Sequence, residues 1–301
     1  MKSGFVAILG QANVGKSTLL NSILKEKVSI VSPKPQTTRN KILGIYNDEE
    51  SQIVFIDTPG IHKSHNKLDE YMDKAITTAT KDVDVIVYVI DGSKRITEQT
   101  IETLNKYTKN SSNVILVVNK VDDTTYEKLY PELAKCNSLE GIKDIVPLSA
   151  LKGKNIPELI KVIKTYLTDD VAYYDEDTYT DKSVKFMVAE IIREKTLWLL
   201  QDELPHGIAV DIVRFDEDGK VTEIDADLIL EKSSHKQIVI GKNGSKLKEI
   251  GTKSRIDIEK LLDAKVMLKL FVKVREDWRH KDSVLKTVGY NQQDLWEIVV
   301  K

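Results

Sequence analysis

The order of apolar and polar positions divides the chain into two parts. Up to about residue 167, short and nearly continuous apolar runs alternate with segments whose apolar residues recur at helical spacing. Such runs are typical of parallel strands buried on both faces, and the spacing between them is typical of helices that cover a sheet. The predicted strands are 5–9, 42–47, 52–57, 84–90, 113–118 and 144–148, and the predicted helices are 16–25, 68–80, 97–108, 125–136 and 156–166. The first part is therefore expected to be an α/β domain with a doubly wound, mostly parallel sheet.

A different pattern begins after residues 168–181, an acidic stretch without apolar periodicity that we predict to be a solvated linker. The predicted elements beyond it are a helix at 184–203, strands at 208–213 and 221–230, a helix at 254–262 and a strand at 266–274. This order predicts a smaller α+β domain over residues 182–280. Helical spacing in residues 281–301 predicts a tail helix that packs against the second domain.

Composition narrows the class of protein. The chain has 301 residues, of which 41% are hydrophobic and 31% charged, as expected for about two globular domains with real cores. No apolar run approaches the ~18 residues of a membrane-spanning helix, and the first predicted strand begins too early for a signal peptide. The single cysteine, Cys136, allows no internal disulfide and suits a reducing compartment. We therefore expect a cytoplasmic protein.

The loop between the first predicted strand and the first predicted helix fits the pattern G-x-x-x-x-G-K-[ST]. Its residues are Gly10, Gln11, Ala12, Asn13, Val14, Gly15, Lys16 and Ser17, followed by Thr18. Between a strand and a helix this pattern binds phosphate, because backbone N–H groups and the helix N-terminus face the anion. Lys16 is expected to neutralise the β- and γ-phosphates, and the Ser17 hydroxyl to ligate Mg²⁺.

A second motif follows the strand at 52–57. It consists of Asp57, Thr58, Pro59 and Gly60. An aspartate at this position can hold Mg²⁺ through water, and the Gly60 N–H can donate to the γ-phosphate. At about forty residues after the phosphate loop, the motif predicts a sensor of the third phosphate.

A third motif follows the strand at 113–118. It consists of Asn119, Lys120, Val121 and Asp122. The Asp122 carboxylate can accept hydrogen bonds from N1 and N2 of guanine, a donor pair that adenine lacks, while Asn119 and Lys120 brace the loop and cover the base. Ser149 and Ala150 follow the last predicted strand and would add a base contact through the Ala150 N–H. The nucleotide is therefore predicted to be GTP or GDP.

These elements together resemble the translation-factor branch of the small GTPases. Within that branch, residues 34–39 resemble the first switch segment of the Era-type GTPases. The resemblance implies that one threonine of this segment, Thr37 or Thr38 with Thr38 preferred, joins Mg²⁺ in the GTP state. The metal set is then Ser17, Thr38 and Asp57, and the catalytic set is Asn13, Lys16, Thr38 and Gly60.

One position departs from the signalling GTPases. Those proteins carry a glutamine just after D-x-x-G that orients the attacking water, whereas this chain has Ile61. Isoleucine cannot hydrogen-bond water, so we expect slow hydrolysis. The side-chain carbonyl of Asn13 offers a substitute by helping to hold K⁺ against the phosphates, as in related potassium-stimulated GTPases. Alternatively, Asn13 only braces the loop, and the residues alone leave both interpretations open.

The second part contains the motif G-x-x-G. Two glycines let the backbone approach nucleic-acid phosphates closely, so that about four nucleotides of a single strand are clamped. We expect an aliphatic groove beside it, with Ile238 and Ile240 as walls. The predicted RNA contacts are Ile240, Gly241, Lys242, Asn243, Gly244, Lys246 and Lys248. With the motif between two middle helices, the order of elements is α-β-β-α-α-β, which resembles a KH domain of the bacterial topology, type II.

Charge supports the interpretation of a nucleic-acid site. From residue 232 to residue 255 the chain has seven basic residues and one acidic residue, a surplus of 7 − 1 = 6, although the whole chain has a net charge of −2. Clustered lysine beside a phosphate clamp is typical of RNA binding. The same patch could meet anionic lipid. No amphipathic aromatic helix accompanies it, so RNA is the favoured partner.

A GTPase domain at 1–167 followed by a KH domain resembles the Era family of bacterial GTPases over nearly the whole chain. The resemblance implies a monomeric, Mg²⁺-dependent GTP/GDP switch that binds 16S ribosomal RNA and acts in assembly of the 30S subunit. One alternative is a membrane-associated signalling GTPase, held peripherally at the inner face of the cell membrane. The other is an RNA-binding module whose nucleotide site only senses GDP or GTP.

Overall fold

Six strands form one sheet in the first half of the chain, and three strands form a second sheet, in the computed structural model of the protein. The structure describes residues 1–62, 64–111, 113–137, 139–200 and 207–295. The strands of the first sheet are β1 (Lys2–Leu9), β2 (Ile42–Asn47), β3 (Ser51–Asp57), β4 (Val85–Asp91), β5 (Val114–Asn119) and β6 (Ile142–Pro147). Their order in space is β2-β3-β1-β4-β5-β6, with β2 antiparallel to β3 and the other neighbours parallel. The predicted doubly wound α/β fold is confirmed.

Helices cover both faces of this sheet. They are α1 (Lys16–Leu24), α2 (Lys67–Ala79), α3 (Glu98–Asn110), α4 (Tyr126–Asn137) and α5 (Ile156–Lys164). Alternate residues of β4 lie on opposite faces of the sheet. Val87 and Val89 pack in the core beneath α1 and α5, whereas Tyr88 and Ile90 pack beneath α3 and α4. Burial on both faces explains why the strands appear in the sequence as continuous apolar runs.

The parallel strands end at one edge, and the three motifs lie there. The loop at 10–17 follows β1, and Asp57 closes β3, where its register partner is Ile8 of β1. Asn119 closes β5 and is paired with Asp91 at the end of β4. Because parallel strands present their carboxyl ends on the same side, segments distant in sequence become neighbours there.

The second domain has the element order predicted for a type II KH domain. Its elements are α6 (Val184–Leu199), β7 (Ile208–Asp216), β8 (Thr222–Leu230), α7 (His235–Ile240), α8 (Ser245–Leu262) and β9 (Val266–Val274). The sheet order is β7-β8-β9, antiparallel between β7 and β8 and parallel between β8 and β9. Helix α8 starts nine residues earlier than predicted, directly after the G-x-x-G. The predicted end of the first helix, near residue 203, lies outside the described residues.

The acidic segment at 168–181 connects the two domains but packs along the first. The Ser3 N–H donates to the carbonyl of Asp169 at 2.8 Å, and the Ile45 N–H to that of Tyr179 at 3.0 Å. Tyr173 packs on the ring of Phe5, with 4.8 Å between centroids. Its acid composition suggested solvation, yet its tyrosines and backbone groups find partners on the sheet. The domain limits derived from the sequence stay a prediction.

The tail is not one helix. After a 3₁₀ turn at Trp278–His280 it forms α9 (Asp282–Thr287) and a 3₁₀ turn at Gln292–Leu295. Gly289, at φ 84°, separates the last two, since a positive φ cannot continue a right-handed helix. The prediction of a helix over 281–301 is wrong for its described part, and residues 296–301 lie outside it.

The tail also lies between the two domains rather than on the second alone. Its apolar residues share a core with α2 and with β7 and β8. The members of this core are Leu68, Tyr71, Met72, Ala75, Ala209, Ile229, Trp278, Leu285, Val288, Tyr290 and Leu295. The tail therefore joins the two domains through one buried apolar core.

Arg39 of the first domain is buried against this core. Its guanidinium donates to the carbonyl of Ile208 at 2.7 Å and to the Tyr290 hydroxyl at 3.1 Å. It lies about equally far from the rings of Trp278 and Tyr290, at 6.0 and 5.9 Å from their centroids. Lys41 nearby donates to the carbonyl of Leu295 at 2.7 Å. The segment predicted to be the first switch is thus continuous with the interface between the domains.

Replacing Trp278 by Ala should destabilise the folded chain strongly. Trp278 is fully buried, and its indole N–H donates to the Gly207 carbonyl at 3.0 Å. Removing such an aromatic side chain costs about 3–5 kcal/mol of unfolding free energy, which should appear as a lower midpoint in urea unfolding. Phe271→Ala is the matched control, because Phe271 is half-exposed on β9. Equal midpoints for the two variants would contradict the packing described here.

Candidate functional sites: nucleotide pocket and nucleic-acid groove

The backbone of the loop at 10–17 has the shape of a phosphate cradle. Gly10, Asn13 and Gly15 have positive φ values of 147°, 62° and 101°. A Cβ on Gly15 would lie 2.3 Å from the side-chain nitrogen of Asn119, which donates to the Val14 carbonyl at 2.9 Å. The glycine is therefore required both by its backbone conformation and by the close approach of the Asn119 loop.

Lys16 extends along this loop. Its Nζ donates to the carbonyls of Gly10 and Gln11 at 3.1 and 2.9 Å. Burial lowers the pKa of Lys16 to about 8, and the negative charge of Asp57 acts in the opposite direction. A phosphate would be a stronger partner for the ammonium than two carbonyls. The side chain is therefore poised to exchange these contacts for nucleotide oxygens.

A pocket of about 340 Å³ opens at the loop. Nine predicted site residues line it: Ala12, Asn13, Gly15, Lys16, Ser17, Thr18, Thr38, Gly60 and Lys120. The other predicted residues are not in its lining. They are Gly10, Gln11, Val14, Asp57, Thr58, Pro59, Ile61, Asn119, Val121, Asp122, Ser149 and Ala150. Several of these hold the lining residues in place, as the following contacts show.

Oxygen atoms suited to Mg²⁺ gather beside Ser17. Its hydroxyl lies 2.7 Å from the Thr38 hydroxyl and donates to Asp57 Oδ2 at 2.7 Å. Asp57 is fully buried, and its Oδ1 accepts no hydrogen bond from the described residues. Burial raises the pKa of Asp57, while the neighbouring Lys16 opposes that rise. Two hydroxyls and an unsatisfied carboxylate oxygen are ligands that Mg²⁺ accepts, so these residues fit the ion.

The structure distinguishes the two threonines of the first switch. Thr37 Oγ1 donates to the Lys34 carbonyl at 2.6 Å and lies 2.7 Å from Ser32 Oγ, within its own loop. Thr38, by contrast, contacts Ser17. Sequence reasoning missed Ser29, whose hydroxyl donates to Asp57 Oδ2 at 2.9 Å. No local pattern marks Ser29, because its partner lies 28 residues away.

The second phosphate motif touches the loop directly. A Cβ on Gly60 would lie 2.8 Å from the Cα of Ala12, so a larger residue would push the two loops apart. The Ile61 N–H donates to the Gly10 carbonyl at 3.1 Å. The Ile61 side chain packs against the apolar core beneath α3 and α4. It occupies the position of the usual glutamine without offering a polar group to water.

The predicted base-binding loop is held by its own side chains. Lys120 Nζ donates to the Asn13 carbonyl at 2.8 Å and to Asp91 Oδ2 at 2.7 Å. Asp122 is exposed and has no hydrogen-bond or ion-pair partner among the described residues, so its carboxylate is available to a base. The Ala150 N–H, predicted to contact the base, instead donates to Asn119 Oδ1 at 2.9 Å. Ala150 thereby stabilises the loop. Asp91, which accepts the hydrogen bond from Lys120, was not predicted from the sequence.

The nucleic-acid groove lies between α8 and β9. It has a volume of about 360 Å³ and is lined by Gly244, Leu247, Lys248, Gly251, Thr252, Arg255, Leu268 and Leu270. The predicted walls, Ile238 and Ile240, are not in this lining, and Ile238 is exposed on α7. The role of Ile238 and Ile240 as walls of an RNA-binding groove stays a prediction, and α8, which starts at Ser245, supplies the face beyond the motif. The helical spacing of residues 244, 248, 251 and 255 was the signal available.

The G-x-x-G backbone leaves one side open. Gly241 and Gly244 both have φ 75°, and Asn243 has φ 52°. A Cβ on Gly241 would lie 2.9 Å from the Lys246 nitrogen, whereas one on Gly244 would meet nothing within 4 Å. Gly241 is thus needed for the turn itself, and Gly244 presents free backbone to a ligand. This division suits a phosphate clamp.

Acidic neighbours neutralise part of the basic patch. Lys253 pairs with Glu249 at 2.8 Å, and Arg255 with Glu259 at 3.0 Å. Among the described residues, Lys242, Lys246 and Lys248 have no ion-pair partner. Lys232 and Lys236 are likewise without an ion-pair partner among the described residues, so the available positive charge extends from residue 232 through the motif to the first turn of α8.

Comparison with known proteins gives the same division. A family model for 50S ribosome-binding GTPases matches residues 5–120, and a KH-domain model matches residues 203–279. GTPase Era of Clostridioides difficile (strain 630) is 48% identical over 295 residues, which cover 97% of this chain and 99% of that protein. The chain belongs to the Era family of GTPases.

Two solved structures of Era are similar over nearly their whole length. Era in complex with MgGDPNP and nucleotides 1506–1542 of 16S ribosomal RNA has a TM-score of 0.93 and 38% identity, covering 97% of this chain and 99% of that chain. A variant of Aquifex aeolicus Era bound to GDP·AlF4⁻ has the same TM-score and identity, covering 97% and 100%. These similarities confirm the P-loop GTPase domain followed by a KH domain.

In this Era-family chain, a contact that the sequence analysis missed joins the two switch loops. Asp69, at the start of α2, accepts from Gln36 of the first switch at 2.9 Å. The same carboxylate lies 3.2 Å from His62 Nε2, just after the second phosphate motif. Asp69 raises the pKa of His62 above its ordinary value. The two loops are thereby held through one buried carboxylate.

Nucleotide affinity should fall as the pH rises through about 8. The protonated Lys16 is the form that binds phosphate, and its pKa without nucleotide is about 8. Linkage of one proton predicts a loss of up to about tenfold per pH unit above that value. The dissociation constant of a fluorescent GDP analogue, measured at about pH 7 and about pH 9, tests this.

His62→Gln is the matched control, because His62 also titrates near the pocket. A fall that persists in this variant belongs to Lys16. Thermal unfolding at both pH values controls for loss of the fold. Equal affinities in the wild type at both values would contradict the assignment to Lys16.

Proposed function

We propose that this protein is a slow GTP-hydrolysing switch that binds 16S ribosomal RNA through its KH domain and acts in assembly of the 30S ribosomal subunit. The observation that carries the proposal is the full-length similarity to Era in complex with MgGDPNP and a 16S segment. This chain retains what that complex requires: a GTP-type pocket, an open G-x-x-G and lysines without acidic partners.

Within the pocket each group has a definite task. Ser17, Thr38 and Asp57 would hold Mg²⁺, which neutralises charge on the β- and γ-phosphates. Among the described residues, no group of three or more His, Cys, Asp or Glu side chains could hold a metal alone. The ion would therefore be shared with the nucleotide. Lys16 binds the phosphates, and Asp122 selects guanine.

Hydrolysis is slow because the side chain at position 61 is that of isoleucine, which cannot hydrogen-bond and orient the attacking water. Asn13 is the candidate to compensate. Its Nδ2 donates to the Pro33 carbonyl at 2.9 Å, so the amide does brace the first switch. Its Oδ1 has no donor among the described residues. That oxygen is available to a K⁺ ion beside the phosphates, so the two interpretations of Asn13 are compatible.

The KH domain responds to nucleotide through the first switch. Thr38 belongs to the Mg²⁺ set, and the preceding residue, Thr37, accepts a hydrogen bond from Arg193 of α6 through its carbonyl. A nucleotide that moves Thr38 must therefore change contacts with the second domain. RNA then binds the GTP and GDP forms with different affinities, as coupling between two sites requires.

The protein acts as a monomer in the cytoplasm under this proposal. No helix among the described residues has the length and apolar character to cross a membrane. The membrane alternative depends on the basic patch, in which Lys242, Lys246 and Lys248, all without acidic partners among the described residues, lie at the phosphate clamp. Flotation with anionic liposomes, competed by RNA, distinguishes the two partners.

Potassium should accelerate hydrolysis relative to sodium. We expect at least about tenfold faster turnover in K⁺, because one well-placed charge is worth more than 1.4 kcal/mol in a transition state. Phosphate release is the measurement. Asn13→Asp keeps an oxygen ligand and should retain stimulation, whereas Asn13→Ala should lose it. Equal rates in the two salts would reject the cation role of Asn13.

Gly244→Asp should abolish specific RNA binding and leave GTP binding unchanged. The substitution has room but places a negative charge on the clamp, and it costs about one kcal/mol or more through its positive φ. Binding of nucleotides 1506–1542 of 16S ribosomal RNA, followed by fluorescence anisotropy in GTP-analogue and GDP states, is the measurement. Gly241→Asp combined with it should give the same loss.

Glu223→Gln serves as the control for an unrelated change of charge, because Glu223 lies on β8, pairs with Arg214 and is not in the groove lining. Unchanged RNA affinity in the Gly244 variant would reject the KH assignment. Equal RNA affinity of the wild type in the two nucleotide states would reject the switch but not the RNA site.

A further inference from the structure

Helix α6 of the KH domain binds both backbone polar groups of one residue of the first domain, Val31. Glu194 Oε1 accepts from the Val31 N–H at 2.9 Å, and Trp198 Nε1 donates to the Val31 carbonyl at 2.9 Å. Residues four apart on a helix lie on the same face. Both backbone polar groups of Val31 are thus bound by one face of α6.

Val31 is part of the wall of the nucleotide pocket. The pocket is lined by Ile30, Val31, Ser32 and Pro33, and Trp198 is also in the lining. A residue of the second domain therefore borders the nucleotide directly. Two positions before Val31, Ser29 donates to Asp57 of the metal set.

The segment from 31 to 37 is held by α6 at both ends. Arg193 donates to the Thr37 carbonyl, one residue before Thr38. Arg193 is itself buried and paired with Glu190 at 2.6 Å. The wall of the pocket is therefore attached to the KH domain at two points, and its position depends on α6.

Glu194 is a strong acceptor because it is buried and charged. Burial would raise the pKa of Glu194, but hydrogen bonds from Lys27 and from the Val31 N–H lower it below its usual value. Lys27 and Lys195 lie 2.5 and 2.9 Å from its Oε2, which leaves Oε1 for Val31. A hydrogen bond to an ionised acceptor is about twice as strong as a neutral one.

The same charges reach the RNA-binding helix. Lys195 also pairs with Asp257 of α8, the helix that begins at the G-x-x-G. Lys27 of the first domain lies 3.8 Å from that carboxylate. The hydrogen bond from Val31 to Glu194 is therefore continuous with ion pairs inside the KH domain and is not an isolated surface contact.

We propose that Glu194 and Trp198 are positioning residues of the nucleotide site, through which the KH domain sets the rate at which bound nucleotide leaves. The inference rests on the proposed function, since it requires GDP or GTP in this pocket. When Glu194 and Trp198 hold Val31, residues 31–37 stay closed over the nucleotide. When these hydrogen bonds are lost, this segment opens more often and the nucleotide dissociates faster, while the phosphate cradle stays intact.

Dissociation of fluorescent GDP and of a non-hydrolysable GTP analogue from the full-length protein tests this. Glu194→Ala removes the acceptor, and Trp198→Phe removes the donor but keeps a ring. Each should accelerate dissociation about three- to tenfold, the effect of one lost hydrogen bond. The double variant should accelerate dissociation by less than the product of the two single effects, because both hydrogen bonds hold the same residue, Val31.

The conservative variant separates positioning from general destabilisation. Glu194→Gln keeps an acceptor for Val31 but loses the charge that Lys27 and Lys195 neutralise. It should therefore destabilise the fold as Glu194→Ala does, while restoring much of the slow dissociation. Glu223→Gln, which pairs with Arg214 far from the pocket, should leave dissociation unchanged.

Dissociation within about twofold of the wild type in both single variants, with thermal unfolding showing an intact fold, would overturn the inference. So would equal dissociation from the Gln and Ala variants of Glu194. Failure of the wild type to bind guanine nucleotide is a separate result, which would reject the proposed function itself.

Discussion

Charged side chains buried between the two domains impose the constraint on which the arrangement of this protein depends. Arg39 and Arg193 are almost completely buried, and a buried charge without partners is too costly to persist in a folded protein. Arg39 belongs to the first switch but finds its partners on β7 and the tail. Arg193 belongs to the KH domain but donates to the first switch. Each domain thus supplies hydrogen-bond acceptors for a buried arginine of the other domain. These hydrogen bonds would be lost if the domains separated.

Under the proposed function, this constraint would let the nucleotide act on a distant groove. The segment predicted to be the first switch places Thr38 beside Ser17, and the same segment carries the buried Arg39. A rearrangement of the switch therefore changes the domain contact without any need for a long relay. The pocket also lacks a water-orienting side chain at position 61. Under the proposed function, slow hydrolysis and a switch shared by two domains would let the nucleotide state persist while the protein is bound to RNA.

The fold and the phosphate cradle were predictable because their signals are local. Continuous apolar runs revealed the strands, and contiguous motifs identified the loop at 10–17, the D-T-P-G turn and the N-K-V-D loop. Contacts between distant segments were not predictable in this way. The contacts of Ser29 with Asp57, of Asp91 with Lys120 and of Asp69 with Gln36 join residues about thirty positions apart. Periodicity carries no information on such pairs. The start of α8 at Ser245 was also missed.

The sequence by itself determined the class of nucleotide, the order of elements and the presence of a phosphate clamp, since each depends on residue types at fixed short spacing. Only the tertiary structure decided that Thr38 rather than Thr37 meets Ser17, that the Ala150 N–H serves Asn119, and that the tail lies between the domains. It alone shows α6 holding Val31. The physical reason is that hydrogen bonds and buried ion pairs depend on the direction of groups brought together by the fold, which linear spacing does not specify.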